Sequence, residues 1–530
     1  MPVALLSVYN KEGITYFAKE LHKLGWRIIS SGGTANEIKK AEIPVTDVAE
    51  LVGGGAILGH RVVTLSRQVH AGLLAQDTPE DRAELERLGI PWIDMVCVDL
   101  YPLQEEIKKA DATRESIIEK TDIGGPTMLR SAAKGRRIVI CDPYDREPVL
   151  DWLKAGKPDE DNFITKLAAK AEMIVAEYCL ASAKYHSQGL YDGIIGRRVL
   201  ECLYGENAWQ KPAALYSIRS GDALALENFE VVAGTSPSYN NLCDVDRLLQ
   251  TVTHIAAAFE VNRGKIPLIA VGCKHGNPCG ATVRDGPVEV IQRMIEGDTR
   301  AIFGGLVMVN FHLDVEAAEE LLTYLMPAGE RRLLDGVIAP SFSEQAINML
   351  KRKGDKCRFL RNPTLSALGL DSAPRFRYVR GGFLRQPNYT FVLDLKDPQV
   401  TKGDQLTPEQ ENNLLLAWAI GATSNSNTIT LVKDGYLIGN GVGQQDRVSG
   451  CVLAVRRAKD ANHETPGAFA YSDSFFPFAD GPAVLAEAGI KVIFASSGSV
   501  RDEEVKRLCQ DKDMALYLIP DKVGRGFFGH

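Results

Sequence analysis

Arg27-Ile28-Ile29-Ser30-Ser31-Gly32-Gly33-Thr34 is the stretch on which the fold turns. Its first four residues read as a short strand, the glycines as a tight turn, and Ala35 to Lys40 as the start of a helix. Glycines at such a junction let the backbone approach an anion, and the helix start offers it unbonded amides. Taken alone, the stretch is as readily a plain strand-to-helix turn with a Ser/Thr cap.

The same unit recurs outward. Val3 to Val8 is an apolar strand, and Ile14, Phe17, Ala18, Leu21 and Leu24 follow at helical spacing, with Gly25 as a stop. Met95 to Leu100 and Ile138 to Cys141 are further strands. Strands alternating with helices across short turns predict an α/β, doubly wound parallel sheet. A helix-rich stretch from Ile164 to Tyr185 closes this unit, and Tyr191 to Gly196 reads as the crossing to a second, so domains are expected at 1–195 and 196–530. The second domain is mixed and has room for two subdomains. Its glycine turns are expected at Phe303-Gly304-Gly305, Gly381-Gly382, Gly439 to Gly443 and Ser496-Ser497-Gly498.

A net charge of −7 gives no basic footprint for nucleic acid. The ten cysteines are scattered with no C-x-x-C pair, which suits buried thiols in a reducing compartment. The start lacks a basic leader, and no apolar run reaches the roughly 18 residues of a membrane span, so a cytoplasmic protein is expected.

Three segments carry candidate chemistry. Lys274-His275-Gly276-Asn277-Pro278-Cys279-Gly280 follows the apolar run Ile266 to Val271 and is expected as a glycine-flanked loop past a strand end. Lysine can balance an oxyanion, and histidine can move a proton near neutral pH; a solvated polar turn is the bland alternative. Asp122 to Arg130 places a carboxylate just before a helix that Pro126 would start, with Lys134 further along it and Tyr101 at another strand end. Such a rim can polarise a carbonyl and shuttle protons, or be a set of unrelated caps and surface charges. Ser472 to Gly481 sets Phe475, Phe476 and Phe478 near Asp473 and Asp480, which suits either a clamp for a flat heteroaromatic ring or a core corner. Pro278-Cys279 invites comparison with zinc deaminases, but position 282 is Thr and no H-x-E occurs, so no catalytic metal is expected.

In order and over nearly the whole chain, these segments resemble the bifunctional family of late purine synthesis, 5-aminoimidazole-4-carboxamide ribonucleotide (AICAR) formyltransferase fused to IMP cyclohydrolase. The resemblance implies an N-terminal methylglyoxal-synthase-like doubly wound domain. It also implies a C-terminal formyltransferase domain of two cytidine-deaminase-like subdomains, and a homodimer. It implies formyl transfer from 10-formyltetrahydrofolate to AICAR, then ring closure of formyl-AICAR to IMP. Lys274, His275 and Asn427 match the transfer residues, and Tyr101, Asp122 and Lys134 match the ring-closure residues. Ser7, Lys11, Ser31, Gly32, Gly33, Thr34, Arg61, Thr64 and Gly124 resemble a nucleotide cradle, and Tyr204 and Asn240 the AICAR side. Phe303, Gly304, Arg447, Val448, Phe475, Pro477, Phe478 and Asp480 match the folate side.

The chain departs from the family in places. A lysine usual in the cyclohydrolase site is Val63, an arginine usual near the AICAR phosphate is Leu203, and the end, Gly524 to His530, matches only roughly. Val63 leads to the expectation that ring closure is weaker or differently catalysed, or that only the formyltransferase works while the first domain binds nucleotide. Arg61 or Arg67 is a candidate to supply the missing charge.

Overall fold

The structure, a computed structural model, describes residues 1–58 and 61–529; His530 lies outside the described residues. The chain divides into two compact units, Met1–Ile195 and Gly196–His530.

In the first unit, β1 (Val3–Val8), β2 (Arg27–Ser30), β3 (Thr46–Asp47), β4 (Met95–Asp99) and β5 (Ile138–Ile140) form a parallel sheet in the order β3-β2-β1-β4-β5. Central β1 is an almost continuous apolar run whose first four residues are buried, as a strand covered by helices on both faces requires. The chain winds from β1 out to β3, then restarts at β4 on the other side. This reversal leaves a crevice at the carboxyl ends of β1 and β4. The helix expected from Ala35 begins at Gly32, so the glycine turn and the first helical turn are the same residues.

In the second unit, β6 (Arg197–Glu201) and β7 (Ala214–Ser217) form a separate ribbon. The main sheet holds β8 (Glu230–Ala233), β9 (Leu268–Lys274), β10 (Asn277–Arg284), β11 (Leu306–Val309), β12 (Gly336–Ala339) and β13 (Arg358–Arg361). After a detached hairpin, β14 (Arg375–Val379) and β15 (Gly382–Gln386), the sheet continues with β16 (Ile429–Lys433), β17 (Tyr436–Gly441), β18 (Phe469–Ser472), β19 (Val492–Ser497) and β20 (Ala515–Pro520).

The order β20-β19-β18-β16-β17-β10-β9-β11-β12-β13-β8 is a doubled pattern. Each half starts with a helix, Tyr239–Arg263 or Pro408–Gly421, that leads into an antiparallel hairpin, β9–β10 or β16–β17. A helix and three parallel strands follow, β11 to β13 or β18 to β20. The halves join where β10 and β17 pair antiparallel, Thr282 opposite Tyr436. The two expected subdomains therefore share one sheet. Residues Asn413 to Gly421 are buried all round their helix, as a core helix must be. Leu414, Leu415 and Trp418 pack in one core with Val245, Leu248 and Val252 of the other long helix, each such side chain contributing about 1.5–3 kcal/mol.

Two sequence expectations change. Lys274 to Gly280 is not a loop: Lys274 ends β9, His275-Gly276 is a two-residue turn, and Asn277 begins β10. Both turn residues have positive φ, 52° and 72°, which matches the type I′ turn that suits the twist of a hairpin. Gly439 and Gly441 lie in β17 rather than in a turn. A Cβ at Gly441 would stand 2.2 Å from the Gly450 carbonyl oxygen, and one at Gly439 2.4 Å from that of Ala454. Glycine there lets the helix Arg447–Asp460 lie close against the strand. Among the described residues no helix is long and apolar enough to cross a membrane.

Candidate active sites

The crevice of the first unit opens into a cavity of about 1100 Å³. Five chain segments converge on it because they follow strand ends or face them. Ser7 and Lys11 flank the end of β1, Ser31 to Thr34 follow β2, and Tyr101 follows β4; Arg61, Val63, Thr64, Asp122 and Gly124 complete the wall. Ser7 Oγ lies 2.7 Å from Ser31 Oγ. Thr34 Oγ1 accepts from Val8 N at 3.1 Å, which ties the helix start to β1. Lys11 Nζ donates to the carbonyls of Val8 and Tyr9, and burial lowers its pKa. It also stands beside Gly33, where a Cβ would be 3.6 Å from Lys11 Cε. Hydroxyls, glycine backbone and an ammonium at one helix start suit a phosphate.

The other end of the cavity carries the acid–base groups. Asp122 accepts from Gly125 N at 2.8 Å, and its own N–H donates to Tyr178 Oη at 2.7 Å. Burial raises the Asp122 pKa above the usual carboxylate range. Tyr101 is raised as well, first by burial and then by the Asp122 charge, and its ring lies 5.3 Å from that of Tyr9. A side chain at Gly124 would meet Thr64 Oγ1 at 2.7 Å, so glycine keeps that corner open. Lys134 is not among these groups. It is the last residue of the helix Gly124–Lys134 and exposed, roughly 15 Å along the axis from Gly124, because three helical turns separate them. Arg67 is exposed on its helix and does not line the cavity. Arg61 lines it but pairs with Glu119 at 2.9 Å. Lys120, which sequence reasoning missed, also lines it.

In the second unit the His275-Gly276 turn is held from the helix Tyr239–Arg263. Asp244 Oδ1 accepts from Gly276 N at 2.6 Å, and Arg247 Nε donates to Gly276 O at 3.1 Å. Burial raises the Asp244 pKa, while the nearby charges of His275 and Arg247 oppose the rise. Asn240, Asp244 and Arg247 share one helical face at i, i+4 and i+7, and that polar stripe was the unread signal. Asn240 Nδ2 donates to Glu206 O at 3.0 Å, and Tyr239 N donates to Tyr204 O, so the Tyr204 segment is fastened to the same helix start. Lys274 Nζ donates to Phe303 O at 2.7 Å, which brings Phe303-Gly304 to the turn.

From the turn, Asn277 Oδ1 accepts from Asn425 N at 3.0 Å, two residues before Asn427. Asn427 Oδ1 accepts from Arg447 at 2.9 Å, and Arg447 pairs with buried Asp473 and donates to Ser472 Oγ at 2.9 Å. Burial raises the Asp473 pKa even against the Arg447 charge. Val448 is the next residue on the helix that Arg447 begins. Beyond Ser472, Phe476 is buried in the core, whereas Phe475 is half-buried and Pro477, Phe478 and Asp480 are exposed. The core-corner reading holds for Phe476 alone. A cavity of about 230 Å³ lies on the hairpin, lined by Lys274, His275, Asn277 and Asn440. Among the described residues no group of three or more His, Cys, Asp and Glu side chains is placed to hold a metal.

The family described as AICARFT/IMPCHase bienzyme matches residues 132–457, and the MGS-like domain matches residues 13–127. The bifunctional purine biosynthesis protein PurH of Neisseria meningitidis serogroup A is 34% identical over 538 residues, covering 97% of each chain. A solved crystal structure, that of ForH, is 35% identical, covers 36% of this chain and 100% of its own, and has a TM-score of 0.32. The first unit is thus an MGS-like α/β domain, and the chain belongs to the bifunctional AICAR formyltransferase/IMP cyclohydrolase family.

Proposed function

We propose that the second unit transfers a formyl group from 10-formyltetrahydrofolate to the 5-amino group of AICAR, and that the first unit closes formyl-AICAR to IMP with loss of water. The observation that carries the transfer is the His275 turn, where Lys274, His275 and Asn277 line one cavity and Asn277 is hydrogen-bonded to Asn425, two residues before Asn427. The amine nitrogen attacks the formyl carbon, His275 takes the amine proton, and Lys274 balances the oxygen's charge. The bond from the formyl carbon to the folate nitrogen then breaks, and that nitrogen regains a proton. Asn427 orients the acceptor or formyl oxygen. Exposed Phe478, half-buried Phe475 and Asp480 suit the flat, hydrogen-bonding pterin. Phe303, Gly304, Arg447 and Val448 belong to that folate side, and Tyr204 and Asn240 to the AICAR side.

In the first unit, Ser31 to Thr34 with Ser7 and Lys11 take the nucleotide phosphate, and Asp122 and Tyr101 handle protons during closure. The near end-to-end likeness to a relative named bifunctional favours both activities over formyl transfer alone. A cytoplasmic homodimer completes the reading. It is supported by the β14–β15 hairpin, which exposes 82% of Tyr378 and 61% of Leu384, surface a second copy would cover. Sedimentation that returned only monomer would remove the dimer. The main test mixes the protein with AICAR and 10-formyltetrahydrofolate and separates the nucleotides. IMP is expected; formyl-AICAR accumulating without IMP defeats the role of the first unit, and no formyl-AICAR defeats that of the second.

A further inference from the structure

The wall of the first unit's cavity is uncharged at Val63. Among the described residues that line it, three carry a permanent positive charge: Lys11, Arg61 and Lys120. Two are committed elsewhere. Lys11 is bound to the Val8 and Tyr9 carbonyls beside Gly33, at the phosphate end. Arg61 is paired with Glu119 on an exposed surface. Lys120 differs from both. It follows the short helix Arg114–Glu119, two residues before Asp122. Its Nζ donates to the Tyr9 hydroxyl oxygen at 3.1 Å and stands 4.9 Å from the centre of that ring, which leans on Tyr101. Its backbone carbonyl accepts from Tyr178 Oη, the same oxygen that accepts from Asp122 N. One hydroxyl therefore holds Lys120 and Asp122 together.

We propose that Lys120 is the ammonium of the ring-closure step in this chain, in place of a cation at position 63. The inference rests on the reading of the first unit as the cyclohydrolase. In closure the carboxamide nitrogen bonds to the formyl carbon, and the formyl oxygen becomes an alkoxide. The carbon–oxygen bond then breaks, and the oxygen leaves as water carrying one proton from the carboxamide nitrogen and one from the formamide nitrogen. Negative charge builds on that oxygen twice, at addition and at departure. A cation held by the Tyr9 hydroxyl, on a residue whose backbone Tyr178 ties to Asp122, is the group that offsets it. The Tyr9 hydroxyl holds the ammonium 4.9 Å from the ring centre, close enough for the ring's electrostatics to favour the charge.

The experiment uses the full chain and supplied formyl-AICAR. Lys120→Gln is expected to lower kcat for ring closure at least tenfold and leave formyl transfer unchanged. Adding Val63→Lys to that variant is expected to recover most of the loss, because position 63 lines the same cavity. Asp122→Asn is assayed alongside to separate two kinds of failure. If Lys120→Gln closes the ring normally while Asp122→Asn does not, the inference falls and the reading of the unit stands. If both close it normally, the site itself is misassigned and both fall. A loss in Lys120→Gln that neither Val63→Lys nor a separate Lys120→Arg variant avoids assigns Lys120 a structural role and also overturns the inference.

Discussion

The second unit contains the same hairpin twice. In the first half Lys274 is followed by the turn His275-Gly276, with φ of 52° and 72°; in the second Lys433 is followed by Asp434-Gly435, with φ of 49° and 73°. In each, the turn glycine's N–H donates at 2.6 Å to a side chain of the long helix that opens its half, Asp244 in one and Asn413 in the other. Backbone and brace are alike, yet the surroundings differ. The carbonyls of the Asp434 turn accept from Arg284 and Thr282, both on β10, whereas Gly276 O accepts from Arg247 on the long helix. The His275 turn borders a cavity and reaches Asn425 through Asn277. A doubled scaffold thus carries candidate chemistry at one copy only, and side chains rather than backbone make the distinction.

The comparison can be broken most sharply at His275. His275→Ala should lower formyl transfer by about 10²–10⁴-fold, the range for loss of a positioned proton acceptor. Ring closure of supplied formyl-AICAR should stay within about twofold; joint loss in a folded protein would deny separate sites. Next, Asp244→Asn gives the first half the brace of the second. The asparagine keeps an acceptor for Gly276 but removes the charge beside His275, and formyl transfer should fall about tenfold, equivalent to ~1.4 kcal/mol.

The same variant tests the electrostatics. Burial raises the folded-state pKa of Asp244, so the native state holds this proton more tightly than the unfolded chain does. Wild-type stability contributed by this group is therefore highest at low pH and declines as pH rises through the folded pKa. The variant should melt higher than wild type at neutral pH, and the gap should close as pH falls below the ordinary carboxylate value of about 3.9. A variant less stable at every pH would contradict this. The smallest functional effect belongs to Asn413→Ala. It leaves the Gly435 amide without its acceptor and should cost about 1–3 kcal/mol in denaturant unfolding while both activities persist. A loss of formyl transfer there would mean that the two hairpins are coupled.

Much of this was legible in the residue order. Continuous apolar runs such as Val3 to Leu6 suit central parallel strands, and the segments after such strands meet at one edge. That is why Ser7, Ser31 and Tyr101, far apart in sequence, share a cavity. The His275 turn read as a loop because glycines flank it, whereas Pro278 lies in β10 where its pairing with β9 shifts register, an irregularity that tolerates proline. Gly439 and Gly441 alternate with period two, which is a strand signal, but a cluster of glycines looked like a turn. Lys134 follows Asp122 closely in sequence, yet a helix converts those residues into distance. Asp244 and Arg247 needed the helix phase to be counted from Asn240. Lys120 needed the third dimension, since nothing in its own segment links it to Tyr9.

The pairing of β10 with β17 has a consequence for synthesis. Arg284, at the end of β10, leaves the ribosome about 150 residues before Tyr436, at the start of its partner. At about 5–20 residues per second, the growing chain carries an unpaired β10 edge for roughly eight to thirty seconds. Such an edge invites pairing with another nascent chain. Slow decoding between the two halves should therefore lower the yield of active protein more than equally slow decoding after β17.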